Sequence, residues 1–226
     1  MGKRLMRGYD ILFAVLFILV FSWVYVLTWI IIHIVSPGPA IYKARRVGLR
    51  GRIFTCYKFR SMRVDSGKVR LTTLQNDDRV FAFGRFIRAT KIDEMPQAFN
   101  ILFGDMSIVG PRPEDEANAA NYYVGEYKHI LDVKPGLTSP ASLYDYTHGE
   151  KYEDAELYEK EFVPQKLRLE MYYVDHKSFW YDNLLILKTA WLIVLTALGK
   201  KDFDLPKELN SSKSSSDLFG EMKEKV

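Results

Sequence analysis

Two adjacent carboxylates, Asp93 and Glu94, are the strongest candidates for chemistry in this sequence. Apolar residues follow them at helical spacing, and Pro96, which has no amide hydrogen, fits only the first turn of such a helix. The acidic pair is therefore predicted to meet the positive end of the helix dipole, where a carboxylate tends to stay ionised and nucleophilic. The alternative is that Asp93 simply caps the helix while Glu94 faces water.

Four cations flank this pair along the sequence and are candidates for binding phosphate. Lys58 and Arg60 lie in a YKFR segment, Arg88 precedes the pair, and Arg112 lies in a GPRP turn. Arginine can bind phosphate oxygens through two parallel hydrogen bonds, and lysine adds a point charge. Alternation along a strand is expected to place Lys58 and Arg60 on one side. Each cation taken singly could instead be a solvated surface charge.

The same carboxylates favour Mg²⁺, because this ion prefers one or two carboxylates together with phosphate oxygens and water. We predict Asp93 and Glu94 as metal ligands. Asp105, in a GDMS segment, is a weaker third candidate whose alternative role is to form a turn. Four scattered histidines without an HExxH or CxxC motif argue against zinc. The single cysteine, Cys56, lies in an apolar run and is predicted to be a core residue.

Positive charge is concentrated in the first part of the chain. The 226 residues carry a formal net charge of +4, and residues 1–60 contain ten lysines and arginines but a single acid, Asp10. Such a segment attracts phosphate, whether on a lipid, a nucleotide or a nucleic acid. Nucleic acid is the poorest of these interpretations, because the cations flank an apolar segment and no recognition motif is present.

Residues 11–35 form an uncharged apolar segment that ends at an SPGP motif. As one helix it would measure about 37 Å, enough to cross a bilayer core of roughly 30 Å. Lysines and arginines flank both of its ends, and positive charge marks the cytoplasmic side of a membrane. A re-entrant hairpin that enters and leaves on one face is therefore expected rather than a straight span.

The rest of the chain is predicted to be of mixed α/β character and mostly helical. The apolar stretch at 180–198 contains Asp182, Asn183 and Lys188, so we expect it to lie in the membrane interface rather than to cross the bilayer. The predicted elements are a strand at 53–62, a polar loop at 63–78, and helices at 79–90, 92–103, 114–131, 157–175 and 180–198.

The order of motifs resembles the bacterial sugar transferases, the small monotopic phosphoglycosyl transferases that load a polyprenyl phosphate carrier. SPGP, YKFR, IDEMPQ-FNIL, GDMSIVGPRP and KPGLT follow one another, and the likeness extends from about residue 4 to residue 200. The resemblance implies transfer of a sugar-1-phosphate from a UDP-sugar to polyprenyl (undecaprenyl) phosphate, with release of UMP. It also implies that Asp93 forms a phosphoryl-aspartate intermediate and that Glu94 assists as a metal ligand or base.

The resemblance further implies a membrane-inserted segment at 1–36, a catalytic domain at 37–200 facing the cytoplasm, and attachment to the lipid of the bacterial inner membrane. Residues 201–226 are predicted to be a disordered polar tail. The enzyme would start the assembly of a surface glycan or glycoconjugate. Its oligomeric state is open, and a homodimer is compatible with the sequence.

The sequence departs from the family pattern in two places. Trp23 follows Ser22 where the family has proline, so a bend there needs another cause. After KPGLT, a segment from Ser139 to Glu159 replaces the usual Ala-Gln-Val-Asn-Gly-Arg stretch, which leaves the sugar open. A catalytically silent scaffold that binds nucleotide sugar is the alternative function, although the intact acidic pair argues against it.

Overall fold

The computed structural model describes residues 3–64, 79–149, 152 and 154–211 of the chain. Most of the predicted loop at 63–78 and of the predicted tail at 201–226 lies outside these residues. The described part is mostly helical and has two small sheets, which confirms the predicted α/β class. Its α-helices are α1 (Lys3–Val20), α2 (Ser22–Val35), α3 (Ala82–Ala89), α4 (Gln97–Phe103), α5 (Glu116–Tyr122), α6 (Pro140–His148), α7 (Ala155–Leu157), α8 (Val163–His176), α9 (Phe179–Ala197) and α10 (Glu208–Ser211).

The apolar N-terminal segment is a bent pair of helices. No single helix in the described ranges is long and apolar enough to cross a membrane. Leu5–Val20 and Ser22–Val35 are long and apolar enough when taken together, with a bend of 60° between them. The break lies at Phe21, whose φ of −98° and ψ of 13° are not helical. The bend therefore occurs beside Ser22 without the help of a proline.

The first sheet is an antiparallel hairpin of β1 (Ile41–Val47) and β2 (Ile53–Phe59). Its register runs from Ile41 opposite Phe59 to Val47 opposite Ile53. The strand predicted at 53–62 is thus confirmed over most of its length, whereas β1 was not predicted. Cys56 is fully buried in β2, as expected for a core residue.

The second sheet pairs two short parallel strands, β3 (Ser107–Val109) and β4 (Gly136–Thr138). Gly110, the first residue of the GPRP motif, directly follows β3. Gly136, the glycine of KPGLT, is the first residue of β4. A Cβ added to Gly136 would lie 2.1 Å from the amide nitrogen of Gly110, a distance that no side chain could tolerate. The glycines of GPRP and KPGLT therefore let the two backbones approach, and this contact positions the turn that follows β3.

The helical segments differ from the predictions in three places. The single helix predicted at 114–131 is wrong: α5 ends at Tyr122, and a separate 3₁₀ helix, Gly125–Asp132, follows. Val124 is extended and Gly125 has a φ of +56°, so the chain turns between them. Residues 140–148 form an unpredicted helix, α6, in the segment that departs from the family pattern. Residues 208–211 form a short helix, α10, within the predicted tail.

The two helices predicted near the C-terminus are confirmed. Residues 155–176 are helical throughout, with a π-helical turn at Tyr158–Phe162 between α7 and α8. The stretch predicted at 180–198 is α9. The main core lies between α1, α4, β3, α8 and α9, and its buried members include Ala14, Cys56, Ile101, Met106, Val109, Tyr173 and Leu185.

Candidate active site

The acidic pair lies in a 3₁₀ turn, Ile92–Glu94, directly before α4. Pro96 is the residue that caps α4, which confirms that the pair precedes the helix and that the proline sits at its start. The residue before the turn, Lys91, adopts the left-handed conformation with a φ of +58°. For a residue other than glycine this conformation costs of order 1 kcal/mol, and such strain often accompanies functional sites.

Asn100 joins this segment to the β-hairpin. Its side-chain Nδ2 donates to the carbonyl of Thr55 at 2.6 Å, and its Oδ1 accepts from the amide of Tyr57 at 3.0 Å. The amide group thus completes the hydrogen bonding of β2 on the side that faces α4. The contact brings Lys58, the next residue of the strand, up to the acidic turn. Sequence analysis missed this role, although an asparagine within a largely apolar helix was a signal for it.

Glu94 is held by two of the predicted phosphate-binding cations. Its Oε1 accepts from Lys58 Nζ at 2.9 Å and from Arg112 Nη2 at 3.1 Å. Burial alone would raise the pKa of the Glu94 carboxyl, but the charges of Arg112 and Lys58 outweigh burial and hold this pKa well below its usual value. Glu94 is therefore an ionised carboxylate whose orientation is set by strand β2 and by the turn after β3.

Asp93 differs from its neighbour. Its Oδ1 is buried and has no hydrogen-bond partner in the described part of the chain. Burial raises the pKa of Asp93, the charge of Glu94 raises it further, and Lys58, Lys91 and Arg88 only partly offset these effects. The pKa of Asp93 is thus shifted in the direction opposite to the effect of a helix dipole, because burial and the adjacent charge dominate.

The remaining predicted residues separate into those near the pair and those elsewhere. Arg88, in the last turn of α3, is close enough for its charge to lower the pKa of Asp93. Arg60 lies beyond the end of β2, and its buried guanidinium donates to the carbonyls of Ser36 and Pro37. It therefore fixes the SPGP segment at the end of α2 and does not share the environment of Lys58.

Asp105 is not brought to the acidic pair either. It follows the C-terminal end of α4, whereas Asp93 and Glu94 precede the N-terminal end. Burial lowers the pKa of Lys134, and Asp105 is one of the carboxylates that counteract this shift. Within the described ranges, no three His, Cys, Asp or Glu side chains form a group that could hold a metal ion. Of the three predicted metal ligands, only Asp93 and Glu94 therefore lie together.

Two carboxylates that sequence analysis did not single out support Arg112. Glu170 of α8 accepts from the Arg112 amide at 2.8 Å, and Asp145 of α6 lies 3.7 Å from the Arg112 Nε. Burial raises the pKa of Glu170 to about 8. Both residues come from helices far along the chain, so local sequence patterns carried no signal for these contacts.

Tyr146 of α6 also borders the acidic turn. Its hydroxyl donates to the carbonyl of Ala89 at 2.8 Å, and the Nζ of Lys91 lies 4.6 Å from the centre of its ring. The helix that replaces the usual family sequence after KPGLT thus contacts both Lys91 and Arg112. It forms one wall of the site.

A buried carboxylate oxygen without a partner, next to a second carboxylate and several cations, suits nucleophilic chemistry at a phosphate ester. The bacterial sugar transferase family model matches residues 1–196, and the chain belongs to this family.

Curated relatives cover most of this chain. The chain is 37% identical to a UDP-N-acetylgalactosamine-undecaprenyl-phosphate N-acetylgalactosaminephosphotransferase of Aeromonas hydrophila. The 204 aligned residues cover 86% of this chain and 44% of that protein. It is 38% identical over 170 residues to a UDP-glucose:undecaprenyl-phosphate glucose-1-phosphate transferase of Xanthomonas campestris pv. campestris, 74% of this chain and 33% of that protein. A relative of the same description from Caulobacter vibrioides is 34% identical over 194 residues, 84% of this chain and 70% of that protein. The chain spans less than half the length of the first two.

Proposed function

We propose that this protein transfers a sugar-1-phosphate from a UDP-sugar to a polyprenyl phosphate and releases UMP. Family membership and the activities named for the relatives support this reaction class. The observation that carries it is the contrast within the acidic turn. Glu94 is fixed by Lys58 and Arg112, while the Oδ1 of Asp93 has no hydrogen-bond partner among the residues that the structure describes.

Asp93 is the proposed nucleophile. A carboxylate oxygen of Asp93 attacks the sugar-bearing phosphorus, the bond from that phosphorus to the bridging oxygen breaks, and UMP leaves with that oxygen. The product is a phosphoryl-aspartate that carries the sugar. An oxygen of polyprenyl phosphate then attacks the same phosphorus, the bond to Asp93 breaks, and polyprenyl diphosphate sugar is released. The second step restores the free carboxylate.

The cations around the turn stabilise the charge that this chemistry collects. Lys58 and Arg112 both contact Glu94, and the charge of Arg88 is close enough to act on Asp93. Arginine and lysine at such positions neutralise diphosphate oxygens and lower the repulsion that an anionic nucleophile meets. Glu94 keeps Lys58 and Arg112 oriented while the substrate is absent.

Mg²⁺ is the metal that this donor set fits. A magnesium ion needs only one or two protein carboxylates when phosphate oxygens and water complete its shell. The partnerless Oδ1 of Asp93 and the adjacent Glu94 are the residues that would hold it. When bound, the ion would neutralise diphosphate charge and help to orient the reacting phosphate.

The bent helix pair is proposed to be a re-entrant anchor in the bacterial inner membrane, with the acidic turn on the cytoplasmic side. Basic residues flank both ends of the pair. All four tryptophans, Trp23, Trp29, Trp180 and Trp191, are at least half exposed, as amphipathic aromatic residues at a lipid boundary would be. This placement would let a soluble nucleotide sugar and a lipid phosphate reach one site, and the product would start a surface glycan.

The experiment that tests this proposal is a UMP-release assay with purified protein, polyprenyl phosphate, Mg²⁺ and a panel of UDP-sugars. Glucose, galactose and N-acetylated sugars belong in the panel, because the relatives named above use different ones. Release with one sugar that needs the lipid for repeated turnover supports the proposal and identifies the substrate. No release with any sugar from folded protein would favour a scaffold that binds nucleotide sugar without turning it over.

A further inference from the structure

Both arms of the bent helix pair contact the segment that carries the acidic turn. The first contact comes from α1. Arg7 donates from Nη1 to the carbonyl of Ile101 at 2.5 Å and from Nη2 to the carbonyl of Leu102 at 2.8 Å. These carbonyls belong to the last turn of α4, where helix carbonyls have no partner within the helix. Arg7 therefore holds the end of α4 that lies away from the acidic pair.

The second contact comes from α2 and reaches the other end. The hydroxyl of Tyr25 donates to the carbonyl of Met95 at 2.6 Å. Met95 directly follows Glu94, and its carbonyl also accepts from the amide of Ala98 at 3.0 Å. This carbonyl is thus the point where the 3₁₀ turn of the acidic pair passes into α4.

The position of the Tyr25 hydroxyl is set by packing of its ring. The ring lies 5.8 Å from the ring of Phe59 and 6.0 Å, edge to face, from that of Phe99. Phe59 ends the strand that carries Lys58, and Phe99 lies in α4. One side chain of α2 therefore contacts both elements that meet at Glu94.

We propose that Tyr25 is a positioning residue, through which the second arm of the helix pair holds the turn of Asp93 and Glu94 in its reactive geometry. The consequence is that the position of Asp93 depends on the angle between the two arms of the helix pair. The catalytic part of this inference rests on the function proposed above, whereas the structural coupling does not.

The test compares Tyr25→Phe with a matched control, Tyr9→Phe. Both variants remove one tyrosine hydroxyl from the helix pair and keep the ring. The Tyr9 hydroxyl donates to Asn183 Oδ1 at 2.9 Å, so it joins α1 to α9 and not to the acidic turn. We expect Tyr25→Phe to lower kcat about tenfold while KM for the UDP-sugar stays within about twofold, because one hydrogen bond is lost and the substrate contacts remain. Tyr9→Phe should leave kcat unchanged, and both variants should unfold at the same temperature.

Hydrogen exchange supplies a readout that needs no activity. In Tyr25→Phe, amides of residues 92–99 should exchange faster than in the wild type, and those in Tyr9→Phe should not. If the wild type transfers no sugar phosphate but exchange rises as expected, the proposed function fails and the coupling stands. If the wild type is active and Tyr25→Phe changes neither kcat nor exchange, Tyr25 has no positioning role. A fall in kcat matched by an equal loss of thermal stability would also overturn it.

Discussion

Two of the places where the described part of the chain buries a carboxylate beside a cation, the Lys166–Glu114 pair and the acidic turn, differ in what they leave unpaired. At the first, Lys166 of α8 donates to Glu114, and both residues are less than a tenth exposed. Burial raises the pKa of Glu114, but the charge of Lys166 outweighs it and the net shift is downward. At the second, the acidic turn, Glu94 is paired, while Asp93 has a raised pKa and a buried oxygen that bonds to nothing in the described part of the chain.

The difference separates a structural ion pair from a reactive site. A buried lysine that donates directly to a buried carboxylate fixes two elements of the fold to each other. The acidic turn contains the left-handed backbone of Lys91 and an oxygen of Asp93 that has no partner within the described ranges, and both features cost stability. Unfavourable features of this kind are typical of sites where a bound substrate supplies the missing interactions.

Asp93→Asn should abolish turnover, with at least a hundredfold loss and an expected loss of several orders of magnitude, because a covalent nucleophile cannot be replaced by an amide. UMP release measures the effect. The unfolding temperature should stay the same or rise, since the variant replaces a buried carboxylate beside Glu94 with a neutral amide. The exposed carboxylate Asp132, changed to Asn, is the control. Residual activity above about a hundredth of wild type removes Asp93 from the nucleophile role.

Lys166→Met should destabilise the fold by about 3–5 kcal/mol, because it leaves Glu114 buried without its cation. Thermal or denaturant unfolding in detergent measures the loss. Lys58→Met is the matched control at the acidic turn, where Arg112 still pairs with Glu94, and its cost should be smaller. Equal destabilisation by the two variants would contradict the distinction between the structural Lys166–Glu114 pair and the acidic turn.

Glu94→Gln should lower activity roughly a hundredfold, since it releases the two cations from their common carboxylate. The residual activity should also respond to pH in a defined way. The charge of Glu94 raises the pKa of Asp93, so removing that charge should shift the loss of activity at acidic pH to lower pH. A pH profile of the first UMP released measures this. An acidic limb that moves to higher pH would be incompatible with the arrangement described.

Local patterns in the sequence were sufficient to predict the acidic turn and its helix. Pro96 marks the start of α4, and Gly104, with a φ of +93°, marks its end. Lys58, Arg88 and Arg112 were also predicted near the pair, because their motifs carry strong local signals.

Contacts made across the fold could not be predicted in this way. Alternation suggested that Arg60 accompanies Lys58, but β2 ends at Phe59 and the next residue turns toward the SPGP carbonyls. Glu170 reaches Arg112 from another helix, and no spacing rule links them. The pKa of Asp93 was misjudged for the same reason, because burial is a property of the packed structure.

Glu170 gives the smallest of the expected effects, a dependence of stability on pH. Its pKa is about 8 in the folded protein against 4.5 in the unfolded chain, so the folded form keeps the proton longer. Stability should therefore decline as pH rises through this interval and change no further above it. Glu170→Gln resembles the neutral form and should weaken the decline. The unfolding temperature of the wild type should fall by several degrees more than that of the variant between pH 6 and pH 9. Parallel curves would contradict the raised pKa.

The most direct test of the central claim is mass spectrometry of the protein after mixing with its UDP-sugar and Mg²⁺, in the absence of polyprenyl phosphate. The proposed mechanism predicts one sugar-phosphate adduct per protein, mapped to Asp93, together with one equivalent of UMP, and loss of the adduct when polyprenyl phosphate is added. An adduct on another residue, or UMP release that needs the lipid and leaves no adduct, would contradict Asp93 as the nucleophile.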